Sequence, residues 1–105
     1  MTVIRLIERP RRVDTVTIAA NTVEDELHAL QTLVGGYIEC VRLTDEAAML
    51  VDEEGLLKNL PRNDLASLIA QRPIVGTALI VGIAHTEDGD VFTDCPAHMI
   101  RALNA

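Results

Sequence analysis

A single helical stripe, set among segments of β character, constrains this fold more than any other feature of the sequence. The stripe is formed by four apolar residues at helical spacing, Val23, Leu27, Leu30 and Val34. Asn21-Thr22 can cap its start, and the acidic run Glu24–Glu26 suits the positive end of a helix dipole. Gly35-Gly36 supplies a glycine for the left-handed residue that ends many helices. We therefore predict a helix between this cap and these glycines.

The segments around this helix favour a sheet of short strands. Alternating or β-branched runs predict strands at Thr2–Ile7, Val13–Ile18, Tyr37–Leu43, Ala47–Val51, Leu56–Leu60, Ile74–Ile83 and Val91-Phe92. Two further helices are predicted, one at Asp64–Ala70 and one that begins after a cap at Thr93-Asp94. This order lacks the regular alternation of a doubly wound fold. It predicts one small α+β domain over residues 1–105, with a mixed or mostly antiparallel sheet and two to three helices packed on one side.

The charge balance excludes a general nucleic-acid binder. The 105-residue chain has 9 Lys+Arg against 16 Asp+Glu, a formal charge of −7, whereas such binders need cations to displace phosphate counterions. Tyr37 and Phe92 are the only aromatic residues, so no stacking platform for single strands is available. The uncharged stretch Pro73–Ala84 has about half of the residues that a membrane span needs. With only two cysteines, we predict a protein of the bacterial cytoplasm, without direct contact to nucleic acid or membrane.

Three arginines close together stand out in this acidic chain. Arg9, Arg11 and Arg12 could clamp a phosphate or carboxylate through bidentate guanidinium contacts, although a solvated loop explains them as well. The loop Gly35-Gly36-Tyr37 could let a ligand approach the backbone, although a helix C-cap also explains its glycines. With Asn63 added, the predicted ligand-binding set is Arg9, Arg11, Arg12, Gly35, Gly36, Tyr37 and Asn63.

The residues that could support catalysis or metal binding lack the partners that either chemistry needs. His85, Cys95 and His98 include a C-x-x-H spacing but no evident fourth ligand. Cys95 lies near a helix start, which could lower its pKa, but no orienting group is identifiable. Cys40 falls in a strand and is expected to face the core. We therefore predict a protein that is not an enzyme, with no catalytic residue, no metal and no cofactor.

Several strings along the chain carry a resemblance to a known family. They are LQTLVGGYIE at residues 30–39, DEEG at 52–55, LPRN at 60–63 and IVGTA at 74–78. From about Asn21 onward the chain resembles the uncharacterised phage and mobile-element family called domain of unknown function 3846. The resemblance implies a small soluble protein, and it assigns no catalytic residues.

Two functions from different classes follow as expectations. The first is a non-catalytic binding protein of a phage or mobile element that counters host defence by sequestering a small nucleotide-like signal. The alternative is an acidic interaction protein, an inhibitor or a DNA mimic, that binds a host defence enzyme or nuclease. Its acidic residues lie close in sequence at Asp45, Glu46, Asp52, Glu53 and Glu54. Both expectations rest on what small acidic proteins encoded by phages and mobile elements often do, and not on a site in the sequence. The residues leave open whether two copies form a homodimer.

Overall fold

Six strands and three helices make up the chain, and the computed structural model describes all of residues 1–105. The predicted α+β class is confirmed. The strands are β1 (Thr2–Ile7), β2 (Arg12–Thr17), β3 (Ile38–Arg42), β4 (Ala47–Asp52), β5 (Ala78–Thr86) and β6 (Gly89–Thr93). The helices are α1 (Val23–Val34), α2 (Asp64–Ala70) and α3 (Ala97–Leu103).

Every strand pairing in the sheet is antiparallel. The strand order is β2-β1-β5-β4-β3, and β6 also pairs with β5. Ile80 faces Ile4 of β1 on one side and Met49 of β4 on the other. Gly82 likewise faces Ala47 and, on the other side, Thr93 of β6. β1 and β6 therefore follow each other along the same edge of β5, the longest strand.

The helices lie on both faces of the sheet, so the prediction that they pack on one side is wrong. In β4, Ala47, Met49 and Val51 belong to one apolar cluster, with Ala66 of α2 and residues of α3. Ala48 and Leu50 belong to a second cluster on the opposite face, with α1. All six residues of β4 are buried. Because a strand that is apolar on both faces must be covered on both, the uninterrupted run Ala47–Val51 required this arrangement.

α1 has the boundaries that the sequence predicted. The side chain of Thr22 accepts a hydrogen bond from the Asp25 amide at 3.0 Å, which satisfies one of the free amides of the first turn. Gly35 adopts the left-handed conformation with φ of 96°, and its amide donates to the Gln31 carbonyl. Leu30 and Val34 are buried at the C-terminal half of the stripe. Val23, at its start, is largely exposed because that end of the helix is not packed against the sheet.

Three local predictions are wrong. Residues Leu56–Leu60 form turns instead of a strand, because their amides bond within the segment, as from Leu60 to the Gly55 carbonyl. Asp94 does not cap α3, because its carboxylate accepts a hydrogen bond from the Thr2 amide at 2.7 Å. Cys40 is exposed, since it lies on the outermost strand β3 and does not reach the core.

The antiparallel registers divide the molecule into two ends of different charge. At one end lie the β1–β2 turn, the start of β3 and the end of β4, and we call it the arginine end. Its cations are Arg9, Arg11, Arg12, Lys58, Arg62 and Arg72. The opposite end carries the β3–β4 and β5–β6 turns and the start of α1, and we call it the acidic end. Its anions include Glu24, Asp25, Glu26, Asp45, Glu46, Glu87 and Asp88.

Candidate functional site

The predicted ligand-binding residues all lie at the arginine end, where five of the seven divide between two separate clefts and Arg9 and Gly35 line neither. Arg11, Arg12 and Asn63 line a cleft between the β1–β2 turn and α2. Gly36 and Tyr37 line another cleft, next to the C-terminal end of α1. The two clefts share no residue and lie toward opposite edges of the sheet. The structure therefore does not join the predicted residues into one site.

The first cleft, which we call the arginine cleft, is small and lined by both charged and apolar side chains. Its volume is about 70 Å³, about half of the roughly 150 Å³ of an engineered cavity that binds benzene. A space of this size admits a single small group such as a phosphoryl or carboxyl group. The lining residues are Leu6, Ile7, Glu8, Arg11, Arg12, Val13, Asn63, Asp64 and Leu65.

The arginines of this turn differ in how far their charges are compensated. Arg9 lies 3.3 Å from Glu8 and its side chain is 80% exposed, outside the cleft. Arg12 lies 3.6 Å from Asp14, but that carboxylate is held mainly by a shorter contact of 2.6 Å with Arg5. The hydrogen bond from Arg5 keeps the pKa of Asp14 below its usual range. Arg11 forms no ion pair, so its guanidinium is free to bind an anion.

Asn63 has a structural role at the edge of this cleft. It is only 2% exposed, and its side-chain oxygen caps α2 by accepting a hydrogen bond from the Ala66 amide at 3.1 Å. Its side-chain amide donates to the carbonyls of Leu6 and Gly76 at 3.1 and 2.9 Å. Both amide hydrogens are therefore engaged, and Asn63 shapes the wall of the cleft without a free donor for a ligand.

The second cleft, which we call the tyrosine cleft, is wider and open to solvent. It has a volume of about 330 Å³ and is lined by His28, Gln31, Thr32, Gly36, Tyr37, Glu54 and Lys58. Tyr37 is 66% exposed, so one face of its ring is accessible. Glu54 and the ion pair of Lys58 give this cleft no surplus of positive charge. The arginine cleft also contains two carboxylates, Glu8 and Asp64, but its Arg11 forms no ion pair, so an anionic group is better accommodated there.

An ion pair between the buried Asp52 and the partly exposed Lys58 adjoins the tyrosine cleft, which Lys58 lines. The Asp52 side chain is 2% exposed, and one of its oxygens accepts a hydrogen bond from Lys58 Nζ at 2.8 Å. Lys58 also donates to the Gly35 carbonyl at 3.2 Å, at the negative end of the α1 dipole. Its pKa is raised, first by the hydrogen bond to Asp52. Lys58 was absent from the predicted set, although it is the only lysine in the chain.

The two glycines beside this ion pair are required for different reasons. Gly35 has a left-handed φ of 96°, a conformation that side chains other than glycine rarely adopt. A Cβ atom at Gly36 would lie 2.7 Å from Lys58 Nζ and 3.1 Å from Asp52 Oδ2. The sequence offered a helix C-cap as one explanation of Gly35-Gly36. That explanation is correct for Gly35, whereas Gly36 leaves space for the ion pair.

One known family matches nearly the whole chain. The family model described as "Domain of unknown function (DUF3846)" matches residues 1–104. The chain belongs to this family. The resemblance seen in the sequence is thereby confirmed, and it extends over the first twenty residues. No curated protein and no solved structure matches the chain.

The strings that carried the resemblance meet at the arginine end of this DUF3846 domain. LQTLVGGYIE and DEEG come together where Asp52 and Lys58 contact the Gly35-Gly36 turn. LPRN and IVGTA are joined by a bridge between Arg62 and Val75 and by the bond from Asn63 to Gly76. These strings therefore build the loops around the two clefts.

The acidic residues proposed for a protein partner do not form one patch. Asp45 and Glu46 lie in the β3–β4 turn, whereas Glu53 and Glu54 follow the other end of β4. Asp52 is buried and paired with Lys58. The acidic end is instead formed by the β3–β4 turn, the β5–β6 turn and the first turn of α1.

Of the residues considered for catalysis or metal binding, His85 contacts two other residues and Cys95 is buried. His85 Nδ1 lies 2.6 Å from an Asp90 carboxylate oxygen, and His85 Nε2 lies 3.1 Å from the Asp45 carbonyl. Cys95 is buried, and burial raises the pKa of its thiol, opposite to the lowering considered from the sequence. No group of three or more His, Cys, Asp or Glu side chains comes together as metal ligands would. No helix is both long and apolar enough to cross a membrane.

Proposed function

We propose that this DUF3846 domain is a non-catalytic binding protein that captures a small nucleotide-like ligand through its phosphoryl group. The arginine cleft is the proposed site, with Arg11 and Arg12 as the anion-binding residues. In the cytoplasm of a bacterial host, a phage or mobile element would use such a protein to sequester a defence signal. This biological setting rests on the phage and mobile-element genomes that are expected to encode the family.

One observation carries the proposal: Arg11 has no ion pair and stands beside the loosely compensated Arg12 in a cleft of phosphoryl size. Guanidinium groups bind phosphates through paired, charge-assisted hydrogen bonds. The apolar wall formed by Leu6, Val13 and Leu65 lowers the local dielectric, which strengthens such contacts. The rest of the ligand would extend from the cleft into solvent.

The composition of the cleft favours binding over catalysis. Its lining contains no Ser, Thr, Cys, His, Lys or Tyr side chain, and nucleophilic catalysis needs a nucleophile within reach of a base. The two carboxylates in the lining, which can also act as nucleophiles, each lie 3.3 Å from an arginine, Glu8 from Arg9 and Asp64 from Arg62. These features support the proposal that a bound phosphoryl group is held without being transferred.

Calorimetric titration with adenosine 3′-monophosphate tests the proposal. The double variant Arg11→Ala/Arg12→Ala should lose at least about tenfold in affinity, because each charge-assisted hydrogen bond contributes about 1.5–3 kcal/mol. Arg101→Ala is the matched control, since Arg101 lies on α3 and does not line the cleft. Equal affinity of the wild type and the double variant would contradict the proposal.

The charge of the acidic end favours a second candidate, an acidic inhibitor or DNA mimic that binds a host enzyme or nuclease. Glu24 and Asp25 of α1 and Asp45 and Glu46 of the β3–β4 turn are the residues concerned. Capture of such an enzyme should weaken steeply with salt and should be lost when these four carboxylates are replaced by amides. Capture that is insensitive to salt counts against this candidate.

A further inference from the structure

The arginine cleft contains one polar atom that the protein itself leaves without a hydrogen bond. Glu8 Oε2 is buried and has no hydrogen-bond partner. Its ion-pair partner is Arg9, whose side chain is 80% exposed and whose Nε lies 3.3 Å from this oxygen, outside hydrogen-bond geometry. Glu8 belongs to the lining of the cleft together with Arg11 and Arg12. A buried acceptor without a hydrogen bond is unfavourable, so this oxygen gains from a donor that a ligand presents.

A carboxylate is an unfavourable neighbour for a bound phosphoryl group. The exposed Arg9 compensates the charge of Glu8 only in part. Glu8 therefore repels an anion that Arg11 and Arg12 attract, and a low-dielectric wall strengthens the repulsion. The repulsion is offset only when the ligand also presents a hydrogen-bond donor that Glu8 Oε2 can accept. The other carboxylate of the lining, Asp64, lies 3.3 Å from Arg62. With Arg11, Arg12 and the acceptor on Glu8, the site therefore discriminates between anions that carry a donor beside the charge and those that do not.

We infer that Glu8 makes the arginine cleft selective for a phosphorylated ribose, by accepting a hydrogen bond from the hydroxyl group next to the phosphoryl group. This inference rests on the proposed function, and it names the class of nucleotide that the cleft takes. A 2′-deoxy sugar lacks that hydroxyl and leaves Glu8 Oε2 without a hydrogen bond beside the phosphoryl group. The 2′-hydroxyl is also the group by which proteins in general distinguish ribose from deoxyribose.

Two ligands that differ by one hydroxyl group test this selectivity. Adenosine 3′-monophosphate and 2′-deoxyadenosine 3′-monophosphate are titrated into the full chain by calorimetry. The wild type should prefer the ribonucleotide by at least about tenfold, since hydrogen bonds to a charged group are among the stronger ones. Glu8→Met should remove the preference, mainly by binding the deoxynucleotide more tightly once the repulsion is gone.

Two further variants separate selectivity from folding. Glu87→Met replaces an exposed glutamate in the β5–β6 turn, far from the cleft, and should keep the wild-type preference. Glu8→Gln keeps the size of the side chain and loses its charge, so it should also reduce the preference. It serves in place of Glu8→Met if thermal unfolding shows that the methionine variant does not fold.

The outcomes distinguish this inference from the function on which it rests. Equal binding of both nucleotides by the wild type, or a preference retained in Glu8→Met and Glu8→Gln, overturns the role of Glu8. In that case anion binding that depends on Arg11 and Arg12 still stands, and water satisfies the Glu8 oxygen. If the wild type binds neither nucleotide, or if Arg11→Ala/Arg12→Ala binds both as well as the wild type, the proposed function itself fails.

Discussion

At the residue scale, Asn63 shows how one side chain can hold three parts of the chain together. It caps α2 and bonds to the Leu6 carbonyl in β1 and to the Gly76 carbonyl before β5. Gly76 itself has a positive φ of 76°, so its carbonyl is presented by a backbone conformation that favours glycine. Asn63 therefore fixes the α2 side of the arginine cleft relative to β1.

Replacing Asn63 tests this structural role. Asn63→Ala should lower the free energy of unfolding by about 2–4 kcal/mol, because it removes a helix cap and leaves two buried carbonyls without a donor. Urea unfolding monitored by circular dichroism measures the change. Asn21→Ala is the control, since Asn21 is exposed and does not cap α1, and it should have little effect. A similar stability for both variants would contradict the role given to Asn63.

The Asp52–Lys58 pair makes a second prediction at this scale. Lys58→Met should lower Tm by a few degrees, because Asp52 would remain buried without its cation. Adding Asp52→Asn to Lys58→Met should recover part of the loss, since the buried charge is then gone. A differential scanning measurement that finds the double variant no more stable than the single one would argue against this account of the pair.

At the element scale, His85 connects two turns at the acidic end. Both of its ring nitrogens face acceptors, the Asp90 carboxylate and the Asp45 carbonyl, and Arg42 shares Asp90 at 3.0 Å. Only the doubly protonated ring can donate to both acceptors. The pKa of His85 is accordingly raised, first by its hydrogen bond to Asp90.

This contact predicts a dependence of stability on pH. A group whose pKa is raised by folding stabilises the fold fully below its unfolded pKa, about 6.5, and loses that contribution as pH rises through the folded pKa. Asp90, whose pKa is lowered mainly by His85, stays ionised across this window. The urea midpoint of the wild type should therefore fall more between about pH 5.5 and about pH 8.5 than that of His85→Gln. Equal pH dependence of the two proteins would contradict the contact.

Elements whose cap, apolar stripe and end lie within one stretch were predictable from the sequence. Elements that depend on contacts with residues distant in the sequence were not. α1 has a cap, a stripe and a terminal glycine in one stretch. The cap and the glycine have the predicted roles, and Leu30 and Val34 of the stripe are buried. Leu56–Leu60 looked like a strand because it is apolar, but no neighbouring strand pairs with it. Asp94 looked like a cap for α3, but the long-range bond to Thr2 takes its carboxylate.

At the scale of the whole molecule, the sheet is buried between helices on both faces, and six of the nine cationic side chains lie at one end of it, together with carboxylates such as Glu8 and Asp64. The continuous apolar runs in β4 and β5 indicate burial on both faces, a signal that the one-sided prediction did not use. The candidate binding residues were found by their chemical type, but their division into two clefts follows from the strand order. Glu8 could not be recognised from sequence, because its significance depends on burial beside two arginines.

The measurement that tests the central claim most directly is a ¹⁵N NMR titration of the protein with adenosine 3′-monophosphate. Binding in the arginine cleft should shift the amide signals of Glu8, Arg11, Arg12 and the start of α2. Signals around Gly36 and Tyr37 should stay unchanged, because the tyrosine cleft lies toward the opposite edge of the sheet. Shifts confined to the tyrosine cleft, or no shifts at millimolar ligand, would contradict the claim that the arginine cleft holds the phosphoryl group.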